Sequence, residues 1–366
     1  MKIRVGRTTL FLNIRFKRYK MKNNFNCETG VANVAFKMDD YYVWDCSVIK
    51  AQGEYHMFSS RWKKELGFGM NWLFNSEIIH SVSKTPQGPY EFKNVVLKRR
   101  GREYFDGMNT HNTCIKEYNG KYYLYYMGTT YGGDIPEGEV SEEYAVETWN
   151  RKRIGVAVAD DINGEFKRLD SPLLEPRDCS KWDCTAITNP SVAILPNGKT
   201  YMIYKSRSAP FKPLKLGVAV ADKPDGEFER LSDNPIFDFK DGNLHIEDPF
   251  LWYDNKLNKF CVITKDDFKG NSHGITGEWG SGFYAESDDC INFEIPEEPK
   301  VYSRKVTWQN GFTTVQCNLE RPCVLFGDNG EPEYIFCASG NGKAPYAFDG
   351  LTYIVCMKLV HKKFFK

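Results

Sequence analysis

One pattern of polar and apolar positions occurs five times along the chain. Two polar or aromatic residues and a small residue or proline lead into an apolar strand, an Asn/Asp/Gly turn and a second apolar or aromatic strand. The copies are WDCSVIKAQGEYHMFSS from Trp44, HNTCIKEYNGKYYLYYMG from His111, TNPSVAILPNGKTYMIYKS from Thr188, EDPFLWYDNKLNKFCVITKD from Glu247 and ERPCVLFGDNGEPEYIFCAS from Glu320. Their third positions, Cys46, Thr113, Pro190, Pro249 and Pro322, lie 67, 77, 59 and 73 residues apart, too far for one hairpin and right for one small sheet. Between them runs a second recurring element, clearest in RIGVAVADDINGEFKRL at 153–169 and KLGVAVADKPDGEFERL at 215–231, with related stretches at 78–92 and 282–295. It supplies the outer half of a four-stranded unit.

Five such units predict an all-β fold, a five-bladed β-propeller, in which ring closure removes the sheet edges. VANVAF near the N-terminus and YIVCMKLV near the C-terminus are the candidates for closing the last blade. The predicted organisation is a basic extension over 1–24 and one propeller domain over 25–366. Two insertions interrupt the blades. RWKKELGFGMNWLFNSE at 61–77 is predicted to wall a pocket, and 129–153, partly helical around SEEYAVETWN, to frame the same face or a dimer contact.

Composition agrees, with 21 Tyr, 25 Phe and 8 Trp among 366 residues and frequent glycine. The 49 basic and 48 acidic residues nearly cancel, which excludes a general attraction to nucleic acid or to an anionic membrane. An uncharged or small partner is expected, with the chain a monomer or homodimer. The first 24 residues carry eight Lys or Arg and no acid, unlike a signal peptide, and Met21 is a candidate start. Eleven cysteines without a C-x-x-C pair or zinc-type spacing read as buried thiols in a reducing, cytoplasmic setting, with Cys179–Cys184 the alternative disulfide.

In a propeller the innermost strands start near the axis, so the first residues of the five phrases converge on one funnel. These are Trp44 and Asp45, His111 and Asn112, Thr188 and Asn189, Glu247 and Asp248, Glu320 and Arg321. Buried charges are costly unless paired, and such a ring at one pole reads as a polar site with mutually tuned ionisation. Two carboxylates facing each other across a sugar are the minimum apparatus for glycosidic cleavage. Trp44 and Trp182 are candidate stacking platforms.

These phrases resemble those of the five-bladed glycosidases, most closely glycoside hydrolase family 43 and the related family 117. The family 43 motifs D-P-S-V-I, H-A-P-D and E-G-P are similar to Asp45-Cys46-Ser47-Val48-Ile49, His111-Asn112-Thr113-Cys114 and Glu247-Asp248-Pro249. The resemblance implies an inverting hydrolase with Asp45 as general base, Glu247 as general acid and Asp248 flanking it, and the long insertions suggest a closed pocket and hence exo action. It implies no required cofactor and allows a central divalent cation, calcium, with His111 as an indirect ligand through water; the alternatives for His111 are a hydrogen-bond donor to the sugar and a satisfied core histidine. Where family 43 places an acid-orienting Asp, this chain has Asn189, and Asp183 or Glu320 are the candidates for that role. Family 117 implies a histidine acid, for which His273 is the candidate. A propeller phosphorylase is the nearest rival, drawing a phosphate site from Arg61, Lys205, Arg207 and Arg321. A non-catalytic carbohydrate-binding propeller is the alternative from another class.

Overall fold

The computed structural model describes residues 23–239, 244–344 and 347–362. All but the last two residues of the basic extension fall outside them. Four-stranded antiparallel sheets form five blades. The first blade runs from its innermost strand, Tyr41–Ala51, through Glu54–Lys63 and Glu77–Ser83 to Glu91–Leu97. The next three begin at Asn109–Tyr118, Thr188–Ile194 and Ile246–Asp254 and repeat this order. The fifth runs Glu320–Phe326, Pro332–Ala344, Ala347–His361, and its outermost strand is Cys27–Lys37 from the other end of the chain. Residues 31–36 and 353–360, both picked out from sequence, pair in that closure. Each innermost strand contacts those of its two neighbours, and the fifth returns to the first, so the ring is complete.

Both faces of a blade are covered by neighbouring blades. The strands therefore read as nearly continuous apolar runs rather than alternating ones. Clusters such as Ile78, Ile115, Leu124 and Ala157 fill the seam between the first two blades, and Val192, Met202 and Tyr204 join Tyr125 and Val156 at the next.

A polar clasp repeats in the second and third blades. Asp183 is fully buried and takes Arg177 Nε (2.6 Å) on Oδ1 with Arg230 Nε (2.6 Å) and the Tyr204 hydroxyl (2.8 Å) on Oδ2. Asp106 takes Arg100, Arg168 and Tyr126 in the same way. Each aspartate lies five residues before its strand mouth, at His111 or Thr188. The tyrosine rings need the glycine of G-V-A-V-A beside them: a Cβ on Gly155 or Gly217 would come within 2.8 or 2.4 Å of Tyr126 or Tyr204. Burial opposes the Asp183 charge, but the two arginines and Tyr204 outweigh it and hold its carboxyl below the usual value. Asp183 is thus a staple between inner and outer strands, away from the axis. Asp183→Ala removes the shared partner of two half-buried arginines and the buried Tyr204 hydroxyl and is expected to destabilise the fold by about 3 kcal/mol, read by chemical denaturation.

The insertions pack on each other at the funnel end. Leu73 and Phe74 of the first meet Ala145, Tyr144 and Trp149 of the second. Helix Glu142–Asn150 falls within the stretch predicted as helical. The Ser141 hydroxyl caps it by accepting from the Tyr144 amide, and Glu142 and Glu143 occupy its first turn, where the helix dipole favours acids.

Candidate active site

Five β-bulges build the site. In the first blade Trp44 pairs with Ser60 but Ser47 with Phe58, so one extra residue is inserted at the strand mouth. The same slip occurs after His111, Thr188, Glu247 and Glu320. At each bulge the second residue of the phrase is left-handed: Asp45, Asn112, Asn189, Asp248 and Arg321 have φ of 52°, 56°, 54°, 57° and 55°. Asn and Asp tolerate this region better than other side chains, and four of the five positions carry them. Arg321 is the exception, at a cost of about 1–3 kcal/mol.

These five side chains close a ring about the axis. The Asn112 and Asn189 amides meet at 2.6 Å, and Asn189 Nδ2 donates to Asp248 Oδ1 at 2.9 Å. Arg321 lies between the two carboxylates, 3.5 Å from Asp248 Oδ1 and 3.5 Å from Asp45 Oδ1. The backbone amide of Asn112 completes the circuit, donating to Asp45 Oδ2 at 3.0 Å. Two amides in series present a nitrogen at only one end. Turned with its nitrogen toward Asp45, 3.2 Å from Oδ1, the Asn112 amide brings its oxygen against the Asn189 oxygen; turned back, it sets that oxygen against Asp45. Either way one acceptor faces another, a mismatch that a proton on a flanking carboxylate relieves.

The ring residues do not fit a central divalent cation, because the Arg321 guanidinium already supplies positive charge between Asp45 and Asp248. His111 donates through Nδ1 to Ser76 Oγ (2.8 Å), whose own proton goes to the Thr110 carbonyl. Burial, with Arg321 and Lys152 nearby, pushes the His111 imidazole down to about 4 against the opposing pull of Asp45.

A cavity of about 230 Å³ opens above the ring, lined by Asp45, Glu247, Asp248 and Glu320 and walled by Trp44, Trp62, Phe68, Trp72 and Trp149. Asp45 is 1% exposed. Ser60 Oγ (2.7 Å) and the Asn112 backbone amide both bind its Oδ2, leaving Oδ1 the less firmly held oxygen, 3.5 Å from Arg321 Nε and 3.2 Å from the Asn112 side-chain amide. Glu247 is freer: its side chain is 14% exposed, Lys205 Nζ lies 3.3 Å from Oε2 and His245 Nε2 lies 3.6 Å from Oε1. His245 in turn meets Asp267 Oδ2 through Nδ1 at 2.8 Å. Glu247, His245 and Asp267 are close enough to share a cation, but Lys205 already faces Glu247, and Lys265 (3.7 Å) and Lys269 (3.4 Å) face Asp267.

Glu320 is held on all sides. Lys265 Nζ lies 3.0 Å from both of its oxygens and Asn318 Nδ2 donates to Oε1 at 2.7 Å. Burial pushes its carboxyl up to about 7, with Lys265 opposing and Asp248 and Glu247 adding to the rise. Asp248 moves the other way: burial disfavours its charge, but Lys205, Arg321 and Lys265, with a hydrogen bond from Glu320, hold it well below the usual value. Because the folded-state value of Glu320 is the higher one, its contribution to stability is fully present below about pH 4.5 and fades as pH rises through about 7. Glu320→Gln is expected to flatten the fall in Tm between those limits, seen by melting both proteins across that range.

Of the residues singled out from sequence, the fold brings together Trp44, Asp45, His111, Asn112, Asn189, Glu247, Asp248, Glu320 and Arg321. It places Asp183 in its clasp, and Trp182 against Tyr204, donating to the Asp233 carbonyl. His273 is exposed and does not line the cavity. Arg61 pairs with Glu77 (2.8 Å) beside another depression. Arg207 lines a neighbouring groove of about 730 Å³ between the insertions. Lys152, Trp149 and Lys205 are site residues at positions the five phrases do not mark as mouths. Cys179 and Cys184 are both free thiols, as are the other nine cysteines.

Comparison with solved structures places this geometry among known folds. Zg3597, a family 117 glycoside hydrolase of the marine bacterium Zobellia galactanivorans, superposes with a TM-score of 0.64 over 92% of each chain at 17% identity. The chain shares its fold with five-bladed glycoside hydrolases. BT0996, in an RGII complex, matches at 0.65 over 93% of this protein and 96% of its own length, with 13% identity. A thermostable family-43 glycoside hydrolase matches at 0.58, covering 88% and 91%, also at 13% identity. No protein-family model and no curated protein matches the sequence. The fold reading and its likeness to families 43 and 117 therefore hold, at identities that speak for architecture alone.

Proposed function

We propose that the chain is a glycoside hydrolase that cleaves a terminal sugar with inversion, Asp45 acting as general base and Glu247 as general acid. The observation that carries this is the convergence of both carboxylates on one small, aromatic-walled cavity at the propeller axis. Indole faces stack on the C–H faces of a sugar ring, and a cavity of this size suits one residue rather than a continuous polymer. Asp45 has the features of a base: one oxygen is anchored by Ser60 and Asn112, so the other is aimed with little freedom, and the ring around it is better satisfied once a carboxylate carries a proton.

Glu247 suits the acid because its oxygens are the less encumbered. Glu320, though burial favours its protonated form, has both oxygens occupied by Lys265 and Asn318 and is better placed to tune the charge of its neighbours than to reach a glycosidic oxygen. Among the described residues no helix is long and apolar enough to cross a membrane. The test is the anomeric configuration of the first-formed product. On an aryl glycoside found by screening, proton NMR during the first turnovers is expected to show the anomer opposite to that of the substrate. Retention of configuration would overturn the assignment of Asp45 as a base.

A further inference from the structure

The positive groups around the funnel fall into two classes. Lys205 faces Glu247 and Asp248, Lys265 faces Glu320 and Asp267, and Arg321 faces Asp45 and Asp248. Lys152 and Arg207 have no carboxylate within ion-pair distance among the described residues. Lys152 is 2% exposed and lines the cavity, and its ammonium lies over the Trp149 indole, 3.5 Å from the ring centroid, and 5.4 Å from that of Trp72. The Arg207 guanidinium also lies over Trp149, 3.7 Å from its centroid. Its Nε is buried without a hydrogen-bond partner, and its contact with Asn150 Oδ1 is long, at 3.4 Å. Trp149 lines both the funnel and the 730 Å³ groove, with Lys152 on the funnel and Arg207 on the groove.

A cation over an indole recovers only part of what it loses on leaving water, and a buried ammonium without an anion is unfavourable. Burial, then repulsion from Lys205 and Arg207, pushes Lys152 well below the usual lysine value, with Glu247 and Asp248 offsetting only part. Burial alone lowers Arg207 to about 10. Both groups would regain charge stabilisation if an anion arrived. A neutral sugar offers them hydroxyl acceptors but no countercharge.

We propose that Lys152 and Arg207, on either side of the boundary formed by Trp149, make an oxyanion subsite at the mouth of the funnel, which takes an acidic group accompanying the sugar. This rests on reading the funnel as a saccharide site. Two sources share the chemistry: the carboxylate of a uronic acid within the substrate, and free inorganic phosphate entering as a co-substrate.

The test is equilibrium binding to the full chain by calorimetry, with D-glucuronate, D-galacturonate, the neutral sugars glucose and galactose, and inorganic phosphate as probes. At least one uronate is expected to bind more tightly than its neutral counterpart. Lys152→Met is expected to weaken that binding about 10- to 100-fold, the effect of a lost charge-assisted hydrogen bond, and to weaken neutral-sugar binding by much less, so that the preference for the uronate is lost. Arg207→Gln is the second variant and should weaken it in the same direction. Neither substitution breaks an ion pair, so both variants are expected to fold, Lys152→Met melting no lower than the wild type because it removes an unpaired buried charge. Binding of phosphate alone, lost in Lys152→Met, would support the subsite and assign its source to the co-substrate. Equal binding of uronate and neutral sugar, insensitivity to both substitutions, or no binding of any anion would overturn it. The first two results leave the hydrolase reading standing, because that is decided by turnover of an aryl glycoside.

Discussion

Asp45→Asn is expected to remove about 10²–10⁴-fold of kcat, the usual share of a general base, while the propeller melts no lower than the wild type. The two halves of this expectation have separate origins. Loss of activity follows from removing the carboxylate oxygen that faces the funnel and would take the proton from water. Retention of stability follows from the ring: an asparagine at this position can present a nitrogen to the Asn112 oxygen, so the circuit through Asn189 to Asp248 is satisfied without an added proton. The substitution also loosens the 3.5 Å approach of Arg321, which keeps Asp248 as its remaining partner. Turnover of the aryl glycoside and a calorimetric melt read the two halves. An inactive variant whose Tm falls by many degrees would show that Asp45 is chiefly a structural partner of Arg321, and an active one would remove it from the mechanism.

For Glu247→Gln the expected loss depends on the leaving group. An acid catalyst matters most when the departing alcohol is poor. The variant should therefore lose about 10²–10⁴-fold against an alkyl or sugar leaving group and far less against a dinitrophenyl glycoside, which departs without a proton. Glu320→Gln provides the contrast. Its carboxyl is bound by Lys265 and Asn318, so its replacement should change activity to a similar degree on both substrates. If the leaving-group dependence instead followed Glu320, its raised proton affinity would be serving catalysis directly and the acid would have to be reassigned.

Much of this site could be read from the chain because the propeller repeats. A mouth residue in one blade predicts its counterpart in the next, which is how Asp45, His111, Glu247, Glu320 and Arg321 could be grouped without any contact being known. The left-handed bulge was also written in the sequence, as Asn or Asp at four of five second positions, although its meaning became clear only with the backbone angles. The spacing that explains Asp183 was equally present: an aromatic residue and an aspartate precede the mouth in YFDGMNTHN and KWDCTAITN alike. The likeness of those two stretches marks Asp183 as a structural staple rather than the acid-orienting aspartate for which it is a candidate on sequence. Trp182 belongs to the same staple, stacked on Tyr204.

The sequence by itself determined the number of blades, the closure of the ring by its two ends and the carboxylates that meet at the axis. All of these follow from local patterning repeated at blade length, and ring closure leaves such a pattern few other ways to bury its strands. Only the tertiary structure decided which charges are neutralised. Lys152 and Trp149 come from an insertion with no counterpart in the other blades, and Lys205 and Lys265 come from second strands, where a lysine in an apolar run gives no sign of which way it faces. The pairing of Lys265 with Glu320, the bridge of Arg321 between two aspartates and the isolation of Lys152 are relations between residues tens to hundreds of positions apart. Coulomb interactions depend on distance and burial, which are created when the blades close around the axis.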